Sequence, residues 1–228
     1  MKEQAEMSGY TVVDPPSVVS THLTEIIKRH AHELLGREET KQLIDHLKES
    51  YPALVEEVTP NILSIGEIQK VLTKLLKENI SIRNLPVIFE TLADYGPMSK
   101  DIDLITEYVR QALARQISKQ MTVPGEPLYV ITLGGKVEKQ IADSVQQTEH
   151  GNFVALDPND SQRILEAASG ETERLQQMGQ APVILCSPAV RMYVRQLLER
   201  YLPHVQILSY NELEAEVEVQ SVGVVNSE

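Results

Sequence analysis

Aromatic rings and thiols are scarce in this sequence. It contains no tryptophan, two phenylalanines and one cysteine among 228 residues. With so few large rings, the chain offers few platforms on which the bases of single-stranded nucleic acid could stack. A single cysteine excludes an intramolecular disulfide bond and any zinc site that is built from several cysteines.

Positive charge and long apolar runs are scarce as well. The 21 lysines and arginines are outnumbered by 33 aspartates and glutamates, which gives a formal net charge of −12. Because affinity for nucleic acid comes from basic contacts with phosphates, we do not expect nonspecific DNA or RNA binding. No apolar stretch reaches the roughly 18–20 residues that cross a bilayer, and the N-terminus lacks the apolar core of a secretory signal.

The remaining composition, 42% hydrophobic and 24% charged, is typical of a globular protein. Two prolines and a glycine fall within residues 122–127, where a helix cannot continue. We therefore predict a linker at 122–127, between a helical subdomain at residues 37–121 and an α/β subdomain at residues 128–228. The same composition suggests a hinge at this linker.

Helical signals dominate the first part of the chain. Asp14 is a suitable N-cap before Pro15, and Gly36 suits a C-terminal cap. Ser64 and Glu67 have the spacing of a capping box. The pattern predicts helices from Asp14 to Gly36, from Arg37 to Glu49, after Ser64, from Leu85 to Ala93, and from Asp101 to Gln120 with Leu104, Tyr108, Leu113 and Ile117 as inward anchors.

Strands and helices alternate in the second part. We predict strands at residues 128–133, 153–156, 182–186 and 205–208, with an edge strand possible around Val217–Val222. Helices are predicted from Gly134-Gly135 to Gln147, from Asp157 to Met178 and from Ser187 to Arg200. The expected fold class is therefore α+β or α/β, with a helical subdomain followed by a small β-α-β-α-β-α-β subdomain.

Cys186 is the most plausible catalytic residue, because it ends a predicted strand before a helix and four residues separate it from Arg191. Rhodanese-like sulfurtransferase loops have this spacing, and a helix N-terminus can lower the pKa of a thiol. Pro188 removes one backbone N–H from such a loop, and the loop contains no glycine. A buried structural thiol is the favoured interpretation, and a thiol enzyme is the alternative.

The other polar patterns have simpler interpretations. Gly134-Gly135 before Lys136 predicts a turn in preference to an anion site, and His30 and His32 face different sides of a helix. Glutamates at alternate positions 212–218 predict a solvated edge face, or an acidic docking strip as the alternative. We predict no catalytic, cofactor or metal site, so elimination favours a binding or assembly module.

Five segments in order carry a more specific signal. They are residues 9–23 (GYTVVDPPSVVSTHL), 63–72 (LSIGEIQKVL), 82–94, 187–191 and 208–212 (LSYNE). Together they resemble the FlhA/LcrD/InvA family, the export-gate proteins of flagellar and virulence type III secretion. Residues 22–27 and 208–212 are more similar to flagellar members than to virulence members, which remain the alternative.

The resemblance implies a cytoplasmic fragment of a protein that is anchored in the bacterial inner membrane by an N-terminal domain not present here. Residues 1–36 would end the first of four cytoplasmic subdomains, and residues 37–121 and 128–228 would be the third and fourth. Family members form a nine-membered ring beneath the export channel. Their expected partners are export chaperones with bound substrates and other export-apparatus proteins, without a cofactor.

The resemblance also implies a docking site. In flagellar members the chaperone pocket lies between the first and second subdomains, and the nearest residues here are Asp14, Thr21 and His22. Thr21 is the best single candidate, although a helical threonine commonly bonds a preceding backbone carbonyl instead. The pocket would be incomplete without the second subdomain.

Overall fold

The computed structural model describes residues 4, 7–9, 11–148 and 151–226. No helix in these ranges is long and apolar enough to cross a membrane. The helices are α1 (Pro15–His30), α2 (Arg37–Ser50), α3 (Pro52–Val58), α4 (Ile65–Lys77), α5 (Leu85–Tyr95), α6 (Ile102–Ala112), α7 (Ala114–Met121), α8 (Gly135–Asp143), α9 (Pro158–Gln177) and α10 (Arg191–Leu198). The strands are β1 (Leu128–Leu133), β2 (Val145–Thr148), β3 (Gly151–Val154), β4 (Val183–Cys186), β5 (Gln206–Ser209) and β6 (Val219–Val225).

The first helix begins as predicted and ends earlier. The Asp14 carboxylate accepts a hydrogen bond from the Ser17 backbone N–H at 3.0 Å, and Pro15 occupies the first turn. The prediction of Gly36 as the C-terminal cap was wrong, because α1 ends at His30 and a 3-10 turn follows. Gly36 instead precedes α2, where its N–H donates to Glu39 Oε2 at 3.0 Å.

The helices α2 to α7 pack around one apolar core. The Ser64–Glu67 capping box is confirmed, with the Ser64 N–H donating to Glu67 Oε2 at 2.8 Å. The single helix predicted from Asp101 to Gln120 is divided into α6 and α7 at Leu113. The prediction of Leu104 as an inward anchor was wrong, because this residue is 37% exposed. The inward positions are Ile105, Val109, Leu113 and Ile117.

Four parallel strands form the main sheet in the order β5-β4-β1-β6. The predicted fold class is confirmed, and the tail does form the edge strand β6. The strand predicted at residues 153–156 lies outside this sheet. Residues 151–154 pair with β2 in an antiparallel hairpin, so the helix predicted to reach Gln147 ends at Asp143. Gly151, at a φ of 120°, allows the chain to turn there.

The sheet is covered on both faces. Alternate residues of β1 and β4 point in opposite directions, as the period of two in a strand requires. Val130 and Leu185 join the core of the helical part, whereas Ile131 and Ile184 join a second core with α8, α9 and α10. Side chains from both sides of residues 122–127 therefore share one core, and the boundary itself stays a prediction.

Two glycines test this packing. A Cβ on Gly96 would overlap Ile62 Cγ2, whereas a Cβ on Gly135, in the first turn of α8, would meet nothing within 4 Å. We expect Gly96→Ala to lower the free energy of unfolding by about 1–3 kcal/mol, because an overpacked core must shift. Gly135→Ala is the control, with an expected gain of up to about 1 kcal/mol. Urea unfolding measures both, and equal effects would contradict the packing.

Candidate functional site

Five charged side chains are buried where the helical part meets the sheet. Glu78 follows α4, Glu107 and Arg110 lie on α6, Arg191 begins α10, and Glu212 ends the 3-10 turn after β5. We call these five residues the buried ion cluster. Their side chains are at most 11% exposed. Charged groups are rarely so deeply buried unless they are paired.

Each guanidinium of the cluster contacts two carboxylates. Arg191 Nε donates to Glu107 Oε2 at 2.6 Å, its Nη2 pairs with Glu107 Oε1, and its Nη1 lies 2.7 Å from Glu78 Oε2. Arg110 Nη1 lies 3.0 Å from the same Glu78 oxygen, and Arg110 Nε pairs with Glu212 Oε1. Glu78 is thus shared between two arginines, which links all five residues.

The cluster also closes the outer edge of β5. Both Arg191 Nη1 and Arg110 Nη2 donate to the backbone carbonyl of Ile207, at 3.2 and 3.3 Å. Glu212 Oε2 accepts from the Ser209 backbone N–H at 2.6 Å. An unpaired strand edge exposes such groups as a template for another strand. Here charged side chains occupy them, so this edge is not available for strand addition.

Burial and pairing act in opposite directions on the carboxylates. Burial by itself raises the pKa of Glu78, but the charges of Arg110 and Arg191 outweigh it and lower that pKa to about 2. Burial raises the pKa of Glu107, Glu212 adds to the rise, and Arg191 only partly offsets it. Glu78 therefore stabilises the fold as an ion, whereas ionisation of Glu107 opposes folding.

The buried ion cluster was not predicted from the sequence. Glu212 was predicted on a solvated face, and this was wrong because the residue is fully buried. Arg191 was considered as a partner of Cys186, but its guanidinium is engaged by two carboxylates. One signal was present in the sequence: Arg110 precedes Leu113 and Ile117 by three and seven positions, so a charged residue shares the inward face of a helix.

Cys186 has the environment of a structural thiol. It is fully buried, and its Sγ donates to the carbonyl of Leu208 at 3.5 Å. Burial raises its pKa far above the ordinary value, so the thiolate is disfavoured. The Ser187 backbone N–H, which an anion would need, donates to Glu138 Oε1 at 2.8 Å. A carboxylate of the chain itself thus occupies the position of a bound anion, which argues against the thiol-enzyme alternative.

The turn at Gly134-Gly135, which was considered as an anion site, is also occupied by other groups of the chain. The Gly134 N–H donates to the carbonyl of Val225 at 2.9 Å, and the side chain of Asn226 lies against this glycine. Among the histidines, His30 Nδ1 contacts Glu33 Oε1 at 2.7 Å, and His150 lies outside the described residues. Within the described ranges, no group of three potential ligands is placed to hold a metal ion.

The predicted docking residues Asp14, Thr21 and His22 are all exposed on or beside α1. Asp14 and Thr21 are seven positions apart, which is two helical turns, so they lie on one face. His22 lies about 100° further round. The hydroxyl of Thr21 makes no hydrogen bond to any residue that the structure describes, whereas that of Thr24 donates to the Ser20 carbonyl at 2.8 Å. Whether these residues bind a partner stays a prediction.

The opposite face of α1 is apolar and equally exposed. It carries Val19, Leu23, Ile26 and Ile27, of which Leu23 is 53% exposed, and α1 has no buried residue. A helix with this pattern normally buries its apolar stripe. The polar face with Thr21 and the apolar face are therefore both accessible on this helix.

Among the grooves on the described surface, two are shallow and open to solvent. One of about 420 Å³ lies between α8 and the start of α9, and contains Lys139 and Asp160. Another of about 660 Å³ lies between α2 and the loop before α4, with Ile44 and Val55 below charged residues such as Lys41. Neither groove contains Cys186 or a predicted docking residue, so neither adds a catalytic centre.

The ionised state of Glu78 gives the fold a dependence on pH. Its stabilising effect is complete above its ordinary pKa of 4.5 and is lost as the pH falls towards about 2. A shift of this size corresponds to about 3 kcal/mol. We expect Glu78→Gln to lower the free energy of unfolding by about 3 kcal/mol at pH 7 and to flatten its dependence between pH 4.5 and 2.5.

Two variants serve as controls in the same urea titrations. Glu107→Gln is expected to cost less than Glu78→Gln at pH 7, because ionised Glu107 opposes folding. Glu56→Gln removes an exposed pair with Lys48 at 3.0 Å and is expected to change stability by less than about 1 kcal/mol. Equal losses for all three variants would contradict the assigned electrostatics.

The thiol assignment is tested by labelling. We expect a thiol reagent at pH 7 to modify Cys186 only as fast as the protein unfolds, so urea below the transition accelerates the reaction. Ser50→Cys, at an exposed position, is the accessible control in a Cys186→Ser background. Fast labelling of native Cys186 that is lost in Arg191→Ala would restore the thiol-enzyme interpretation.

Comparison with known proteins gives a consistent result. The model of the FHIPEP family matches residues 1–218. The flagellar biosynthesis protein FlhA of Bacillus subtilis is 66% identical over 226 residues, which cover 99% of this chain and 33% of that protein. FlhA of Borreliella burgdorferi is 40% identical over 227 residues, which cover 100% of this chain and 32% of that protein. This chain thus spans about a third of the length of these curated relatives.

Solved structures agree with the fold. The Chlamydia pneumoniae CdsV protein has a TM-score of 0.88 at 30% identity, covering 99% of this chain and 64% of that one. Nonameric EPEC SctV-C, solved by cryo-EM, has a TM-score of 0.84 at 30% identity, covering 98% of this chain and 68% of that one. The complex of Chlamydia pneumoniae CdsV and CdsO has a TM-score of 0.87 at 30% identity, covering 99% and 66%. By sequence and by fold, this chain belongs to the FHIPEP family.

Proposed function

We propose that this chain is a cytoplasmic part of the flagellar type III protein-export gate. It docks export chaperones with their substrates and assembles into a ring beneath the export channel, at the cytoplasmic face of the bacterial inner membrane. The observation that carries the proposal is the 66% identity with the flagellar biosynthesis protein FlhA of Bacillus subtilis over nearly the whole chain. The alignment spans both parts of the fold.

The ring is supported by a relative of the same fold. EPEC SctV-C is nonameric, and it matches 98% of this chain at a TM-score of 0.84. A ring needs two different complementary surfaces on each subunit, so residues of distant elements must be held in a constant relation. The shared core and the buried ion cluster provide such a relation between the helical part and the sheet. Binding of further apparatus proteins is supported by the CdsV–CdsO complex.

A virulence secretion gate is the second candidate within the family. The solved structures of Chlamydia pneumoniae CdsV and EPEC SctV-C are 30% identical to this chain, whereas the flagellar biosynthesis proteins FlhA of Bacillus subtilis and Borreliella burgdorferi are 66% and 40% identical. Flagellar export is therefore the better supported assignment. A docking role without catalysis is also supported by Cys186, whose thiol is buried and whose neighbouring N–H is engaged by Glu138.

We place chaperone docking on the polar face of α1. Within the described part of the chain, the Thr21 hydroxyl has no hydrogen-bond partner, and it lies two turns from the carboxylate of Asp14 on the same face. A hydroxyl of this kind gains a partner hydrogen bond without breaking one inside the protein. Exchange of many cargoes is served by modest interfaces with fast release, which a small polar surface provides.

Titration calorimetry against a flagellar chaperone–substrate complex tests this assignment. The chain would be compared with a longer version that restores the first two subdomains, and we expect tighter binding by the longer version. In that version, Thr21→Ala should weaken binding about fivefold, the effect of one lost hydrogen bond.

The matched control is Thr24→Ala, because its hydroxyl already bonds the Ser20 carbonyl within α1. It should leave the Kd within about twofold, since no hydrogen bond to the partner is lost. Equal effects of the two variants would remove Thr21 from the docking surface. If neither version binds a flagellar complex but the longer one binds a virulence complex, the second candidate replaces the first.

A further inference from the structure

The buried ion cluster is formed by residues from both sides of the predicted linker at residues 122–127. Glu78, Glu107 and Arg110 precede residues 122–127, and Arg191 and Glu212 follow them. Three of the four carboxylate–guanidinium contacts join the two sides, namely those of Arg191 with Glu107, of Arg191 with Glu78, and of Arg110 with Glu212. Only the contact between Arg110 and Glu78 stays within the helical part.

Hydrogen bonds between uncharged groups also join the two sides of residues 122–127. The Ser118 hydroxyl on α7 accepts from the Glu214 backbone N–H at 2.9 Å and donates to the Glu212 carbonyl at 3.4 Å. Around them, Leu208 and Val130 of the sheet pack into the core of α2 to α7. Residues 123–126, by contrast, are exposed. The relation between the two parts is therefore held by the interface and not by the linker.

A buried ion cluster resists partial opening. When one partner of a buried pair moves away, the other charge remains unpaired in a medium of low dielectric constant. The free energy of this unpaired buried charge is much higher than that of a fully solvated charge. Intermediate separations are therefore unfavourable, and the charges are either paired or solvated. Because Glu78 is shared by Arg191 and Arg110, loss of one contact also unbalances the next.

We propose that the buried ion cluster is a latch that locks residues 128–226 onto the helical part at residues 37–121 in one orientation. Movement at residues 122–127 is then a two-state event, in which the whole cluster opens, and not a continuous bending of a flexible linker. The latch replaces the composition-based hinge as the element that decides whether the junction moves. It goes beyond the proposed export function and is measured on the chain alone.

Distances between paired spin labels test the latch. One label would be attached at Glu57 on α3 and the other at Glu166 on α9, both exposed, in a Cys186→Ser background. We expect one narrow distance distribution in the unsubstituted cluster. In Arg191→Met a second, separate distance should appear, because two carboxylates lose their shared cation.

Glu212→Gln is the milder variant if Arg191→Met does not fold. Glu212 accepts with both oxygens, from Arg110 and from the Ser209 N–H, whereas an amide has one acceptor oxygen. Amide hydrogen exchange should accelerate at least tenfold in α6 and β5, while α9 keeps its protection. Lys74→Met is the control, because it removes a partly exposed pair with Asp103 inside the helical part.

The outcomes separate cleanly. A second distance in either cluster variant, absent from Lys74→Met, supports the latch when circular dichroism shows both parts folded. A single unchanged distance in both cluster variants overturns it. A broad, continuous distribution in the unsubstituted cluster also overturns it, because the linker would then bend freely.

Discussion

Arg191 is the residue on which the arrangement of this protein depends. It begins α10, yet its guanidinium reaches Glu107 and Glu78 of the helical part and the Ile207 carbonyl on the edge of β5. One side chain therefore compensates two buried carboxylates and satisfies a strand edge. A lysine, with a single ammonium group, could not contact all three in this geometry. The helical part cannot shift along the sheet without leaving at least one of these groups buried and unpaired.

The two outer edges of the sheet are both closed, each by different side chains. The sheet is enclosed by helices on both faces, and its β5 edge is closed by charged groups. On the opposite edge, Arg174 donates to the Val222 carbonyl at a bulge in β6. Such devices prevent strand-to-strand association. The accessible surface then lies elsewhere, above all on α1, which presents one polar and one apolar face.

Local signals in the sequence predicted most of the fold. Asp14, the Ser64–Glu67 pair and Asp157 act within a few residues of themselves, so their capping roles could be predicted without knowledge of the fold. The buried run of β4 was equally clear, since all four of its residues are apolar. The hairpin of β2 and β3 was missed because residues 145–148 continue a helical pattern, and only pairing with residues 151–154 makes them a strand.

The side chains that suggested a functional site in the sequence make structural contacts with residues that are distant in the chain. A reactive loop was suggested by Cys186 and Arg191, and an acidic strip by Glu212. Both interpretations arose because a short window of sequence does not contain the partners of these residues. Arg110 and Glu212 are separated by 102 positions, and Ser187 meets Glu138 across 49. No short window contains both members of such a pair. A buried charge becomes recognisable only when it sits on the inward face of a helix, as Arg110 does. Such a buried charge requires an oppositely charged partner, which is usually distant in the chain. A charged residue on the inward face of a helix is therefore better interpreted as part of an interface between two parts of the chain than as part of a catalytic site.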